Sequence, residues 1–122
     1  AQLTAPGSRI EGIGRPRVEP SFVRGVVDHM EVVSNRESVA AMQLLNDVLG
    51  RKVGPSTGTN MVAMLRLAEQ MRARGEQGSL LSLLCDAGER YLPTYYCADW
   101  VGAQFGDCGG EHKALQPLLS DR

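Results

Sequence analysis

The chain has 122 residues, of which 43% are hydrophobic, a length and composition typical of one globular domain with a single core. Its 13 basic and 14 acidic side chains are interspersed and leave a formal net charge of −1, which provides no field that would gather nucleic acid or an anionic membrane. No apolar run is long enough to cross a bilayer, and the first residues lack the features of a signal peptide. We therefore expect a cytoplasmic protein that binds neither nucleic acid nor membrane.

The cysteines and histidines give no sign of a metal site. Cys85, Cys97 and Cys108 are odd in number and lack C-x-x-C spacing, which argues against both a disulfide framework and zinc. His29 and His112 have no partner at metal-ligand spacing. We expect three free thiols, with Cys85 buried, and no metal ligands.

The N-terminal third begins with residues that predict no regular secondary structure. It then alternates short apolar stretches with loops. Residues 1–8 contain Pro, Gly and Ser without apolar periodicity and do not begin with Met, which is typical of a linker from a longer protein. Residues 9–14 and 29–35 are predicted strands, and the first ends in glycines that let another group approach its backbone. Between them lies a loop broken by prolines. Its arginines, Arg15 and Arg17, are either solvated or a clamp for a substrate carboxylate.

Two helices are predicted next. Ser34 followed by Glu37 is a capping box that starts the first helix, and Gly50 ends it. The second helix follows Ser56 and ends near Gly75. Each has an apolar stripe expected to face the core, made of Val39, Met42, Leu45, Val48 and Leu49 in the first and of Met61, Met64, Leu65, Ala68 and Met71 in the second.

The apolar run at residues 80–85 predicts a strand buried on both faces of a parallel sheet. Residues 106–122 contain only short apolar fragments, and their sequence predicts no regular secondary structure. Alternation of strands and helices indicates an α/β fold, whose ligands bind at the carboxyl ends of the strands. We therefore expect Gly14, Ser56 and Asp86 to converge there.

Ser56 lies in "VGPSTGTN", which matches the G-x-S-x-G spacing of a hydrolase nucleophile. In that interpretation Asp86 orients His112, and His112 acts as the base. The preceding "LGRKVGP" lacks the strongly apolar strand that such a turn requires. A second interpretation makes Ser56 or Thr57 only the cap of the following helix, with Ser56 as the cap in a non-catalytic α/β module. It leaves the flanking Gly54 and Gly58 unexplained, since two glycines suggest close approach to a bound group at a helix N-terminus.

Four motifs in order, "RIEGIGRPRVEPSF", "VVSNRESV", "VGPSTGTN" and "LCDAGERYLPTYY", resemble the C-terminal part of the cysteine synthase (O-acetylserine sulfhydrylase) and cystathionine β-synthase family. The resemblance runs from about Arg9 to about Gln104. It implies a fold type II pyridoxal-phosphate enzyme with a three-layer α/β/α architecture and a mostly parallel sheet. Residues 9–105 would be a core segment of its large domain, between the linker-like start and a tail at 106–122.

The resemblance also implies roles for particular residues. Ser56 would hydrogen-bond the pyridine nitrogen of pyridoxal 5'-phosphate, and Gly12 and Gly14 would line the cofactor cleft with backbone. None of the three would be catalytic. A neutral hydroxyl at the positive end of a helix disfavours protonation of that nitrogen, which suits β-elimination.

The family's Schiff-base lysine and glycine-rich phosphate loop lie upstream of this segment. Lys52 and Lys113 are the only lysines, and neither lies in a segment that resembles the family's lysine motif. We expect a fragment that is inactive without the missing N-terminal part and belongs to a homodimeric enzyme acting on cysteine or O-acetylserine. The charged loop "RPRVEP" departs from the synthases, so cysteine synthase and cysteine desulfhydrase both stay open.

Overall fold

The computed structural model describes residues 8–15 and 17–120, without the side chain of residue 120. Within these ranges the chain forms four α-helices, α1 (Asn35–Leu49), α2 (Pro55–Ala73), α3 (Ala98–Phe105) and α4 (Gly109–Ser120). Two short 3-10 helices, Arg24–Val26 and Glu89–Tyr91, lie in the connections. Apart from Ser8, the predicted linker at 1–8 lies outside the described residues.

Helix α1 begins and ends where the sequence predicts. The Ser34 hydroxyl accepts a hydrogen bond from the Glu37 amide (3.1 Å), and the Glu37 carboxylate accepts one from the Ser34 amide (2.8 Å). These bonds satisfy free donors of the first turn. At the other end Gly50 has a φ of 67°, the left-handed conformation that glycine adopts without strain.

Helix α1 forms the centre of the molecule because it packs against both α2 and α4. Val39, Met42 and Leu45 are buried on one side, together with the aromatic residues of the 91–105 segment. Ala40, Ala41 and Leu44 are buried on the other side, against Val62 of α2 and Leu115 of α4. Val48 and Leu49, predicted to face the core, remain nearly half exposed.

Helix α2 buries a different stripe from the one predicted. Its buried residues are Pro55, Thr57, Gly58 and Val62, whereas the five residues of the predicted stripe are only partly buried. Gly58 sets the approach to α1, because a Cβ at this position would lie 2.2 Å from the Ser38 carbonyl oxygen. The closest approach between the two helices is therefore at a glycine of α2.

None of the three predicted strands, 9–14, 29–35 and 80–85, forms in the described part of the chain. Val53 and Ala87 form an isolated antiparallel bridge. A strand needs a neighbour for its backbone groups, and no described strand lies beside residues 80–85, where Leu81 is 97% exposed and Leu83 is 72% exposed. The predicted burial of Cys85 is wrong for the same reason, since its side chain is exposed.

Residues 109–120 form helix α4, contrary to the sequence prediction for this segment. Asp107 Oδ1 accepts a hydrogen bond from the Gly109 amide (2.8 Å) where α4 begins. Leu115 of α4 is buried, and His112 contacts Gln43 of α1 at 2.7 Å. The prediction failed because α4 is stabilised by its packing on α1, which local sequence does not reveal.

Candidate functional site

The start of α2 is held by a short backbone pairing with residues 86–88. The Gly54 amide donates a hydrogen bond to the Asp86 carbonyl (3.4 Å), and the Gly88 amide donates one to the Lys52 carbonyl (3.1 Å). A Cβ on Gly88 would lie 2.5 Å from the Val53 nitrogen, so this approach requires glycine. The Tyr96 hydroxyl forms two hydrogen bonds with the backbone of Val53. It accepts one from the Val53 amide (3.0 Å) and donates one to the Val53 carbonyl (2.7 Å).

The glycines on either side of Ser56 both have close contacts within the chain. A Cβ on Gly54 would lie 1.9 Å from Asp86 Oδ1, and Gly58 packs against the backbone of α1. These contacts account for both glycines, which therefore do not by themselves indicate a bound group. They place Asp86 against the residue at which α2 begins.

Asp86 forms a pair with a buried tyrosine. The Tyr91 hydroxyl donates a hydrogen bond to Asp86 Oδ2 at 2.6 Å, and Tyr91 is only 5% exposed. Burial, reinforced by the neighbouring carboxylate, raises the pKa of Tyr91 from 10.0 to about 12. The other oxygen, Asp86 Oδ1, is buried and has no hydrogen-bond partner among the described residues. The start of α2 therefore adjoins an unsatisfied acceptor.

Ser56 is the second residue of α2, and its side chain is partly buried. The N-cap is Gly54, and no side chain caps the helix. The interpretation of Ser56 as the helix cap is therefore wrong. Since no hydrogen bond joins the Ser56 side chain to the described residues, the hydroxyl is available to an external acceptor beside the positive end of the helix.

Thr57 has a structural role that the sequence did not reveal. Its side chain is 2% exposed, and its hydroxyl oxygen accepts a hydrogen bond from the Cys85 amide (3.1 Å). This bond fixes the extended 80–85 segment to α2 immediately before Asp86. No sequence signal distinguished Thr57 from the other hydroxyl residues near the start of this helix.

The described residues do not bring Ser56, Asp86 and His112 together as a hydrolase triad. His112 Nε2 lies 2.7 Å from the Gln43 side-chain oxygen on α1, and Asp86 is bound to Tyr91. A triad needs the base within hydrogen-bond reach of both the nucleophile and the acid. The structure gives no such contact, so the site does not support a serine nucleophile.

Gly12 and Gly14 lie in an exposed turn in which both have positive φ, 86° and 80°. The Tyr95 hydroxyl anchors this turn by accepting from the Glu11 amide (3.1 Å) and donating to the Arg9 carbonyl (3.3 Å). The turn is thus tied to the segment that follows Asp86. No described contact joins either glycine to Ser56, and their convergence stays a prediction.

The described residues contain no group of three or more His, Cys, Asp or Glu that could hold a metal ion. None of the helices found between residues 8 and 120 is long and apolar enough to cross a membrane.

Several curated proteins named as enzymes are similar to this chain. L-cysteine desulfhydrase Cds1 of Mycobacterium tuberculosis is 53% identical over 88% of this chain and 29% of its own length. Cysteine synthase 2 of Schizosaccharomyces pombe is 32% identical over 75% of this chain and 23% of its own length. N-(2-amino-2-carboxyethyl)-L-glutamate synthase of Ralstonia nicotianae is 32% identical over 93% of this chain and 33% of its own length.

The chain belongs to the cysteine synthase family of pyridoxal-phosphate enzymes. It spans about a third or less of the length of these relatives. No family model matches the chain, and no solved structure matches it significantly. Family membership confirms the resemblance carried by the four sequence motifs.

The start of α2 fits the ring of the family's cofactor. The pyridine nitrogen is a hydrogen-bond acceptor, and the Ser56 hydroxyl is a donor without a partner among the described residues, at a helix end that carries no side-chain cap. The lysines do not add to this site in the described structure: Lys52 Nζ lies 5.6 Å from the centre of the Tyr96 ring, and Lys113 is exposed on α4.

Proposed function

We propose that the full-length protein is a cytoplasmic pyridoxal-phosphate enzyme of cysteine metabolism that releases sulfide from cysteine by β-elimination. The observation that carries this proposal is the 53% identity to L-cysteine desulfhydrase Cds1 over 88% of the chain. The second candidate is β-replacement on cysteine or O-acetylserine, which the relatives named cysteine synthase favour. The two activities share their elimination half and differ in the second substrate.

In this proposal Ser56 holds the pyridine nitrogen of the cofactor. Bound pyridoxal phosphate withdraws electrons from the α-carbon of an amino acid, which makes loss of the α-proton and the β-substituent accessible. The Ser56 hydroxyl donates one hydrogen bond to the ring nitrogen and carries no charge. Because the positive end of α2 lies beside it, a proton on that nitrogen is disfavoured.

Asp86 and the glycine turn have supporting roles in the proposal. The Asp86 carboxylate lies against Gly54, two residues before Ser56, and Tyr91 holds its other oxygen at 2.6 Å. This fixes the backbone from which Ser56 projects. Gly12 and Gly14, whose turn is anchored by Tyr95, would line the cofactor cleft with backbone rather than side chains.

We also propose that residues 80–85 are a strand of a parallel sheet in the full-length protein. The other strands of that sheet would lie in the rest of the protein, within a three-layer α/β/α domain. Two observations support this. The segment is extended and exposes Leu81, Leu83 and Leu84, and the relatives are about three times longer than this chain or more. The isolated chain is then inactive because it lacks the Schiff-base lysine, and the full enzyme is a homodimer.

Replacement of Ser56 in the full-length enzyme tests the proposal. Ser56→Ala removes one hydrogen bond worth about 0.5 to 1.5 kcal/mol net, so the dissociation constant of the cofactor should rise about two- to tenfold, with measurable sulfide release retained. Ser56→Asp should lower elimination more and shift the visible absorbance of the cofactor, because a carboxylate favours a proton on the ring nitrogen. Ser79→Ala, at an exposed serine outside residues 80–85, is the matched control.

Three measurements distinguish Ser56 as a hydrogen-bond donor to the cofactor from Ser56 as a nucleophile: visible absorbance, sulfide release and labelling by a fluorophosphonate probe. The proposal requires that the wild-type enzyme is not labelled and that Ser56→Ala keeps activity. Equal and complete loss of turnover in both variants, with an unchanged cofactor spectrum, would contradict the assignment and favour a nucleophilic serine.

A further inference from the structure

Two adjacent tyrosines each hold one of the segments that carry the proposed cofactor contacts. The Tyr95 hydroxyl accepts a hydrogen bond from the Glu11 amide (3.1 Å) and donates one to the Arg9 carbonyl (3.3 Å), where the glycine turn begins. The Tyr96 hydroxyl makes the corresponding pair of bonds to Val53 (3.0 and 2.7 Å), shortly before α2 begins. Two segments that are distant in the sequence are therefore bound to one dipeptide.

The Tyr95–Tyr96 dipeptide is itself held in the core. Tyr95 is 2% exposed, and its ring lies edge-on to the rings of Tyr91 and Trp100, at 5.5 and 5.0 Å between ring centres. The Gln43 side chain of α1 donates a hydrogen bond to the Tyr95 carbonyl (3.0 Å). A buried ring in close-packed surroundings has little freedom to shift. Because these contacts lie inside the described chain, they do not depend on which of its surfaces the rest of the protein covers.

We infer that Tyr95 and Tyr96 are positioning residues that set the separation between the glycine turn and the start of α2. Consecutive Cα atoms stay about 3.8 Å apart, so the two hydroxyls hold the two segments at one spacing. Gly12 and Gly14 follow the segment that Tyr95 binds, and Ser56 follows the segment that Tyr96 binds. The inference rests on the proposed function, in which these three residues surround the cofactor. Each tyrosine acts through the backbone that it binds rather than by touching the cofactor.

Amide hydrogen exchange and cofactor titration of the full-length protein test the inference with Tyr95→Phe, Tyr96→Phe and the double variant. Tyr95→Phe should speed exchange at the Glu11 amide, and Tyr96→Phe should speed it at the Val53 amide. Each should raise the dissociation constant of the cofactor about two- to tenfold and shift its visible absorbance. Because release of one segment already frees the spacing, the double variant should raise the constant by less than the product of the two single effects.

Leu115→Ala is the control for a general loss of stability, because Leu115 is buried in the other core cluster, against α1 and α2. It should lower the urea midpoint and leave the affinity and absorbance of the cofactor unchanged. The wild type provides a test that needs no variant. Its Glu11 and Val53 amides should be protected from exchange even before the cofactor is added, since the tyrosines already bind both.

Three results would each overturn the inference: cofactor affinity and absorbance in Tyr95→Phe that match the wild type, a double variant whose effect equals the product, or unprotected Glu11 and Val53 amides in the cofactor-free wild type. Failure of the proposed function has a different signature. The wild type would then show neither cofactor absorbance nor sulfide release, while exchange at the two amides would still respond to the tyrosine substitutions.

Discussion

Gly58→Ala should destabilise the protein by forcing α1 and α2 apart. The new Cβ would lie 2.2 Å from the Ser38 carbonyl oxygen and 2.9 Å from the Met42 nitrogen, whereas ordinary contacts begin near 3.4 Å. The helices would have to separate locally by about 1 Å, and both contacts are backbone atoms that cannot rotate away. Overpacking of this kind costs about 1 to 3 kcal/mol or more, and alanine returns at most about 1 kcal/mol of helix propensity. We expect a net loss of about 2 kcal/mol.

Urea unfolding of the full-length protein, followed by circular dichroism, measures this loss. Gly102→Ala is the matched control because Gly102 also lies in a helix, α3, but nothing lies within 4 Å of its Cβ position. The control should gain up to about 1 kcal/mol from propensity alone. The two substitutions should thus change stability in opposite directions. If Gly58→Ala were as stable as Gly102→Ala, the close approach of α1 and α2 would be refuted.

Three other predictions concern the site and the isolated chain. Thr57→Val should speed hydrogen exchange at the Cys85 amide and cost about 0.5 to 1.5 kcal/mol, because it removes the acceptor of that amide, whereas Thr57→Ser should not. Burial raises the pKa of Tyr91 from 10.0 to about 12, so its contribution to stability is complete below pH 10 and lost as the pH rises toward 12. Urea midpoints across this range should fall less in Tyr91→Phe than in the wild type. Borohydride treatment of the isolated chain with pyridoxal phosphate should give no stoichiometric label, and peptide mapping that found full labelling at Lys52 alone would show a Schiff-base site within the chain.

The sequence predicted those parts of the fold that local contacts determine. Both ends of α1 follow from Ser34, Glu37 and Gly50, whose interactions lie within a few residues of each other. The predicted strands could not be confirmed in the same way, because a strand's hydrogen bonds depend on a neighbour that the pattern does not specify. Residues 80–85 have the composition of a buried strand and lie exposed.

The candidate site was also predictable only in part. The position of Ser56 near the start of a helix follows from its local pattern, and the approach of Asp86 to that helix is confirmed. The Asp86–Tyr91 pair and the bond from Cys85 to Thr57 were missed, because in each case a side chain meets its partner through tertiary packing. The sequence shows which polar residues are present but not which of them folding brings together.

The adjacent residues Tyr95 and Tyr96 constrain how this sequence can diverge. Each hydroxyl takes the place of a neighbouring peptide group: Tyr95 joins the Arg9 carbonyl to the Glu11 amide, and Tyr96 satisfies both peptide groups of Val53. Phenylalanine is ordinarily the mildest replacement for a buried tyrosine. At these two positions it keeps the ring and removes a donor and an acceptor at once, leaving backbone groups without partners. Selection should therefore tolerate the change from tyrosine to phenylalanine poorly at both positions.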